Sequence, residues 1–114
     1  MEGQIVRAVL RQVPGSAQKA RLVVNEVRGM RVTDALTVLK FMPHSAARHV
    51  YKVVASAAAN AEENYAMNRE DLVIRTIMVD EGRTRKWRKY GARGRWKPIL
   101  KRSSHITVEL TEVE

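Results

Sequence analysis

The sequence contains no cysteine, which excludes both a disulfide framework and a thiolate metal site. It has no apolar run near the roughly 18 residues that span a bilayer. Its opening, MEGQIVRAVLRQ, is broken by charge too often for a signal peptide. A soluble, intracellular protein without a membrane partner is therefore the expectation. Internal repeats, low-complexity tracts and glycine-rich phosphate loops are also missing. The 114 residues leave no room for a second core, and an apolar fraction of 45% is enough for one globular domain.

The most informative absence is local: residues 83 to 102 contain no Asp or Glu. That segment holds ten of the 21 Lys and Arg residues, namely Arg83, Arg85, Lys86, Arg88, Lys89, Arg93, Arg95, Lys97, Lys101 and Arg102. Eleven basic and all twelve acidic groups lie elsewhere, so the rest of the chain is nearly neutral. A block of like charge repels itself unless a polyanion neutralises it. Nucleic acid is the expected partner, because each phosphate contact releases counterions. Trp87, Tyr90 and Trp96 stand among these cations. Tryptophan can stack on an exposed base. Alternatively, Trp87 and Trp96 pair across a hairpin and stiffen it; the two readings are compatible.

The apolar pattern predicts strands at 4–13, 72–80 and 99–110 and helices at 17–28, about 33–42 and about 45–67. Pro14-Gly15 ends the first strand, Ser16 is the expected N-cap of the first helix, and Gly29 is its left-handed stop. That helix buries Ala20, Val23, Val24 and Val27. Thr33 caps the second helix and Pro43 closes it. The third helix presents Ala47, Val50, Val54, Ala57, Ala58, Ala61 and Tyr65 to the core, and its SAAANA stretch admits a close neighbour. In the second strand Leu72, Ile74 and Met78 share one face, with Val73, Ile77 and Val79 on the other. In the third, Leu100, Ile106, Val108 and Leu110 share a face, while Lys101, Ser103, His105, Thr107 and Glu109 point away. Residues 81 to 98 have few apolar side chains. They form either a functional loop or a hairpin of about eight residues each way, reaching roughly 26 Å.

Enzymatic and metal chemistry find little support. His44 and His49 are five apart on a predicted helix and do not share a face, so both read as surface or RNA-facing residues. No carboxylate pair completes a metal site. Ser103 and Ser104 adjoin His105, but neighbours on a strand face opposite ways and no partner acid is evident. A hydrolase is remote, and neither a cofactor nor a metal is called for. Asp80-Glu81-Gly82 reads as an acidic foot that orients Arg83 or Arg102. Lys19, Arg21 and Arg28 lie opposite the valine face of the first helix, where a solvated face is the simpler reading.

Three segments, SAQKARLVVNEVRG at 16–29, KVVASAAANAEENY at 52–65, and VDEG at 79–82 followed by ILKRSSHITVEL at 99–110, resemble the bacterial-type large-subunit ribosomal protein twenty-two family. The match covers nearly the whole chain in order, and the KRSSHITV ending is its most specific part. The resemblance implies an α+β fold: three helices on a small, mainly antiparallel three-stranded sheet, with a long β-hairpin arm. It implies a single domain, with a body of 1–82 and 99–114 and an arm of 83–98. It also implies a cytoplasmic role in the ribosome. There the body sits beside the mouth of the peptide exit tunnel and the arm lines the tunnel near its constriction. Expected partners are large-subunit ribosomal RNA, neighbouring proteins including large-subunit protein four, and nascent polypeptide. By position the arm's tip falls on Tyr90, Gly91, Ala92, Arg93 and Gly94, which in the family lies near the macrolide site. Lys19, Arg21, Arg28, Ser104 and His105 join the ten arm cations as expected RNA contacts. Arg83 and Tyr90 stand where family arms commonly carry proline, and Trp87 and Trp96 replace smaller or aliphatic types. A free-standing nucleic-acid chaperone or DNA-binding module would use the same arm.

Overall fold

The computed structural model describes residues 4–83, 85–90 and 96–113, and for 85–90 and 96–100 the backbone alone. In chain order the elements are β1 (Val6–Pro14), α1 (Ala17–Val27), α2 (Val32–Phe41), α3 (Ser45–Tyr65), a short 3-10 turn (Arg69–Asp71), β2 (Leu72–Glu81), β3 (Arg85–Tyr90), β4 (Trp96–Lys101) and β5 (Ser103–Glu112). β5 is the centre of an antiparallel sheet ordered β1-β5-β2, while β3 and β4 pair in a sheet of their own. The α+β architecture expected from the sequence is present. The described structure measures 64 × 24 × 21 Å, far longer than it is wide.

The helix ends follow local chemistry. Gly29 takes φ +80 and stops α1. Met42 is extended (φ −79, ψ 131) because a proline follows and disfavours helical backbone before it. Ser16 precedes α1 but makes no side-chain cap bond. The N-cap of the second helix lies two residues earlier than expected, at Arg31 rather than Thr33.

The core lies between the three helices and one face of the β1-β5-β2 sheet. α3 contributes Ala47, Val50, Val53, Val54, Ala57, Ala58 and Ala61, each buried. Tyr65, expected on that face, is exposed, and Val53 takes part instead. The second strand differs from strict alternation. Ile74 pairs with Leu110 but Thr76 with Glu109, so one extra residue bulges there. The bulge shifts the phase: Leu72, Ile74, Ile77 and Val79 are buried, whereas Met78 is exposed. Thr107 is also buried although it belongs to the outer set, because Val9 and Met78 flank it in register on the two neighbouring strands.

Ala57 is fully buried on α3, a helix that packs on the sheet and on α1. Ala57→Leu should destabilise the chain by about 1–3 kcal/mol through overpacking, measured by urea denaturation.

Candidate nucleic-acid interface

Among the described residues of the segment 81–98, β3 and β4 pair as two antiparallel strands, from Arg85↔Lys101 to Tyr90↔Trp96, which favours the arm over the loop. The register sets like charges directly opposite one another, Arg85 against Lys101 and Lys89 against Lys97, an arrangement that weakens strand pairing in water. It places Trp87 opposite Ile99 and Trp96 opposite Tyr90, so the expected Trp87–Trp96 pair is not in register. Of Arg85, Lys86, Arg88, Lys89 and Lys97 the backbone alone is described. Gly91, Ala92, Arg93, Gly94 and Arg95, with most of the predicted tip, lie outside the described residues.

The arm is joined to the body by main-chain bonds. The amide of Gly82 donates to the Ser103 carbonyl at 2.9 Å, and that of Gly15 donates to the Arg102 carbonyl at 3.0 Å. A Cβ on Gly82 would stand 2.6 Å from Ser103 Oγ and 3.2 Å from the Ser103 carbonyl carbon. Glycine therefore lets the strands approach this closely without displacing the Ser103 hydroxyl. From Glu81↔Ser104 to Arg85↔Lys101 the outgoing strand uses four residues against three on the returning one.

β1 braces the same junction through a second bulge. Leu10 pairs with Ile106 but Val13 with Ser104, and within the extra residue's span Gln12 takes the left-handed φ of 58. Its amide donates to His105 Nδ1 at 3.1 Å. That bond makes Nδ1 the acceptor, so in the neutral ring Nε2 carries the proton. Ser103 Oγ lies 2.7 Å from the Arg83 carbonyl oxygen and 3.2 Å from Gln12 Oε1. With one proton to donate, it favours the shorter contact. No sequence signal marked Gln12; a bulge depends on which strands pair.

Helix α1 meets the arm's foot at Arg21. Its Nε and Nη2 both donate to the Val79 carbonyl, at 3.2 and 3.0 Å, which fixes the guanidinium and leaves its other donors for an anion. Arg21 and Arg102, far apart in sequence, line one cleft of about 440 Å³ with Glu81 and Gly82. Among the described residues no ion pair joins Glu81 to Arg83 or Arg102, so the expected orienting role reduces to a shared cleft. Lys19, Arg83, Lys101 and Arg102 are exposed, and His105 is half-buried. Arg28 is separated from this group. It caps the far end of α1, roughly 10 Å along the axis from Arg21, where its Nη2 donates to Asn25 Oδ1. Ser104 is 1% exposed, so its hydroxyl is not presented to a partner. Strand parity explains this, since Ser104 shares the core face with Ile106, Val108 and Leu110.

Gly82→Ala should destabilise the chain by about 1–3 kcal/mol and speed amide exchange at Gly15 and Gly82, read by urea denaturation and hydrogen exchange. The cost should shrink when Ser103→Ala is already present, because the 2.6 Å contact with Ser103 Oγ is then gone.

The sequence matches the profile of the family described as Ribosomal protein L22p/L17e over residues 8–111. It is 52% identical over 108 residues to large ribosomal subunit protein uL22 of Herpetosiphon aurantiacus, covering 95% of this chain and 96% of the relative. It is 50% identical over 107 residues to uL22 of Dehalococcoides mccartyi, covering 94% and 98% respectively. The uL22 of Pediococcus pentosaceus is 48% identical over 106 residues, covering 93% of this chain and 90% of the relative. With nearly the whole length matched, from the strand that braces the arm to the one that anchors it, the chain belongs to the L22p/L17e family of ribosomal proteins.

Proposed function

We propose that this chain is a structural, non-enzymatic subunit of the large ribosomal particle that works in the cytoplasm by binding large-subunit ribosomal RNA. Relatives of about 50% identity over most of the chain bear the name of that particle. The observation that carries RNA binding is the pairing of like charges across the arm, Arg85 against Lys101 and Lys89 against Lys97. Two strands that repel each other in water become compatible when phosphates sit between and around them.

In this reading the body, 1–82 and 99–114, rests on RNA beside the exit-tunnel mouth, and the arm, 83–98, runs along the tunnel wall to its constriction. Lys19, Arg21, Arg83, Lys101, Arg102 and His105 contact RNA at the foot, with Arg28 making a separate contact at the far end of α1. Along the arm Arg85, Lys86, Arg88, Lys89, Arg93, Arg95 and Lys97 do the same. Tyr90 to Gly94 face the nascent polypeptide and large-subunit protein four. The elongated outline of the described structure suits an element that reaches away from its body.

The tagged chain should cosediment with large subunits through a high-salt wash; recovery only in the free protein pool would refute the proposal. A second test uses the register, in which Lys89 faces Lys97. Lys89→Glu should strengthen the hairpin of the free protein by about 0.2–1 kcal/mol, seen as slower amide exchange along 85–90. The same change should weaken binding to large-subunit RNA and reduce its salt dependence.

A further inference from the structure

We propose that the corner between α2 and α3 is a second RNA-binding surface, which takes one unpaired nucleotide with its phosphate on Lys40 and Arg48 and its base against Tyr51. This rests on the reading of the chain as a ribosomal RNA-binding subunit, and it uses a part of the molecule remote in sequence from the arm. An open cleft of about 570 Å³ lies at this corner, bounded by Lys40, Pro43, His44, Arg48 and Tyr51 over a floor that includes the buried Leu39. It shares no residue with the cleft at the arm's foot.

Charge identifies the occupant. No carboxylate lines the cleft. Between Asp34 and Glu62 the sequence contains no acidic residue at all, while Lys40, Arg48 and Lys52 fall within that span. Lys40, Arg48 and Lys52 are exposed. Arg48 and Lys52 are four apart on α3 and therefore neighbours on its surface. A cationic surface without internal anions matches a phosphate backbone, whereas a cleft built for an ordinary protein partner would hold charges of both signs at its rim.

The aromatic component points to a base. Tyr51 is 37% exposed on the helix face that carries Arg48. Phe41, 77% exposed at the end of α2, is a second accessible ring next in sequence to Lys40, whose Nζ stands 6.0 Å from its centroid, although it does not itself line the cleft. Pro43 ends α2 and brings the start of α3 against its last turn, which places Lys40 and Arg48 on the same cleft. Cations set around an accessible ring are the arrangement with which proteins hold unpaired nucleotides, stacking the base while pairing the phosphate.

The test measures binding of the full chain to protein-free large-subunit ribosomal RNA over a range of salt. A Lys40→Gln, Arg48→Gln double variant should bind roughly tenfold more weakly, and its log–log salt slope should fall by about 1.4 to 1.8. Tyr51→Phe should bind like the parent, whereas Tyr51→Leu should lose several-fold in affinity with an unchanged salt slope. All of these positions are exposed, and an unaltered circular dichroism melt checks that each variant is folded. A photoreactive side chain at position 51 should crosslink to RNA in assembled large subunits. Unchanged affinity and slope in the double variant, with the parent binding normally, would overturn this inference and leave the arm's role standing. Crosslinking from position 51 to protein alone would also overturn it, in favour of a protein contact. A parent chain showing no salt-dependent RNA binding would remove both readings together.

Discussion

β5 is hydrogen-bonded along both edges, to β1 and to β2, and everything else in the molecule depends on that double pairing. A two-stranded ribbon in water is marginal on its own. Here the ribbon carries cations at opposed register positions. It is held because its two strands lead directly out of β2 and into β5, whose inner faces bury Leu72, Ile74, Ile77, Ile106, Val108 and Leu110. The hydrophobic core therefore offsets the electrostatic cost of the arm, and the two sit at opposite ends of the same strands.

The junction between them is a polar cluster rather than an extension of the core. Gly82 allows backbone contact with Ser103, Gln12 accepts a left-handed backbone so that its amide reaches His105, and Arg21 ties α1 to the end of β2. Each contact crosses between elements that are distant in sequence. Together they fix where the arm leaves the body, because a strand held by bonds on both sides at its root has little freedom to swing. Side-chain N and O atoms buried in the described structure all have hydrogen-bond partners, so this polar root carries no unsatisfied burial there.

Charge is distributed by the same logic. α1 presents Arg21 at the arm's foot, and the acid-free corner of α2 and α3 presents Lys40 and Arg48 on another surface. Twelve acidic residues keep the whole chain from being uniformly cationic. Some of them secure local structure, as where Arg69 pairs with Glu62 to join the 3-10 turn to the end of α3. A balanced body with discrete cationic surfaces confines binding to defined places, whereas a uniform positive field would attract RNA everywhere.

The sequence by itself determined the helices, the alternation of β5 and the charge segregation, because these follow from spacing and composition alone. Ala47, Val50, Val54 and Ala61 fall on one helical face whatever surrounds them, and Gly29 can stop a helix without help from a neighbour. Strand parity even placed Ser104 in the core, against its expected RNA contact. Only the tertiary structure decided the bulges, the arm's register and the meeting of Arg21 with Arg102. A bulge at Ile74–Thr76 reverses which of Ile77 and Met78 is buried, and no local pattern announces it, since a bulge is defined only by the register between β2 and β5. The Trp96–Tyr90 pairing likewise depends on the one-residue offset between Glu81↔Ser104 and Arg85↔Lys101. These are properties of two segments meeting in space, and a single segment's periodicity contains no information about the other.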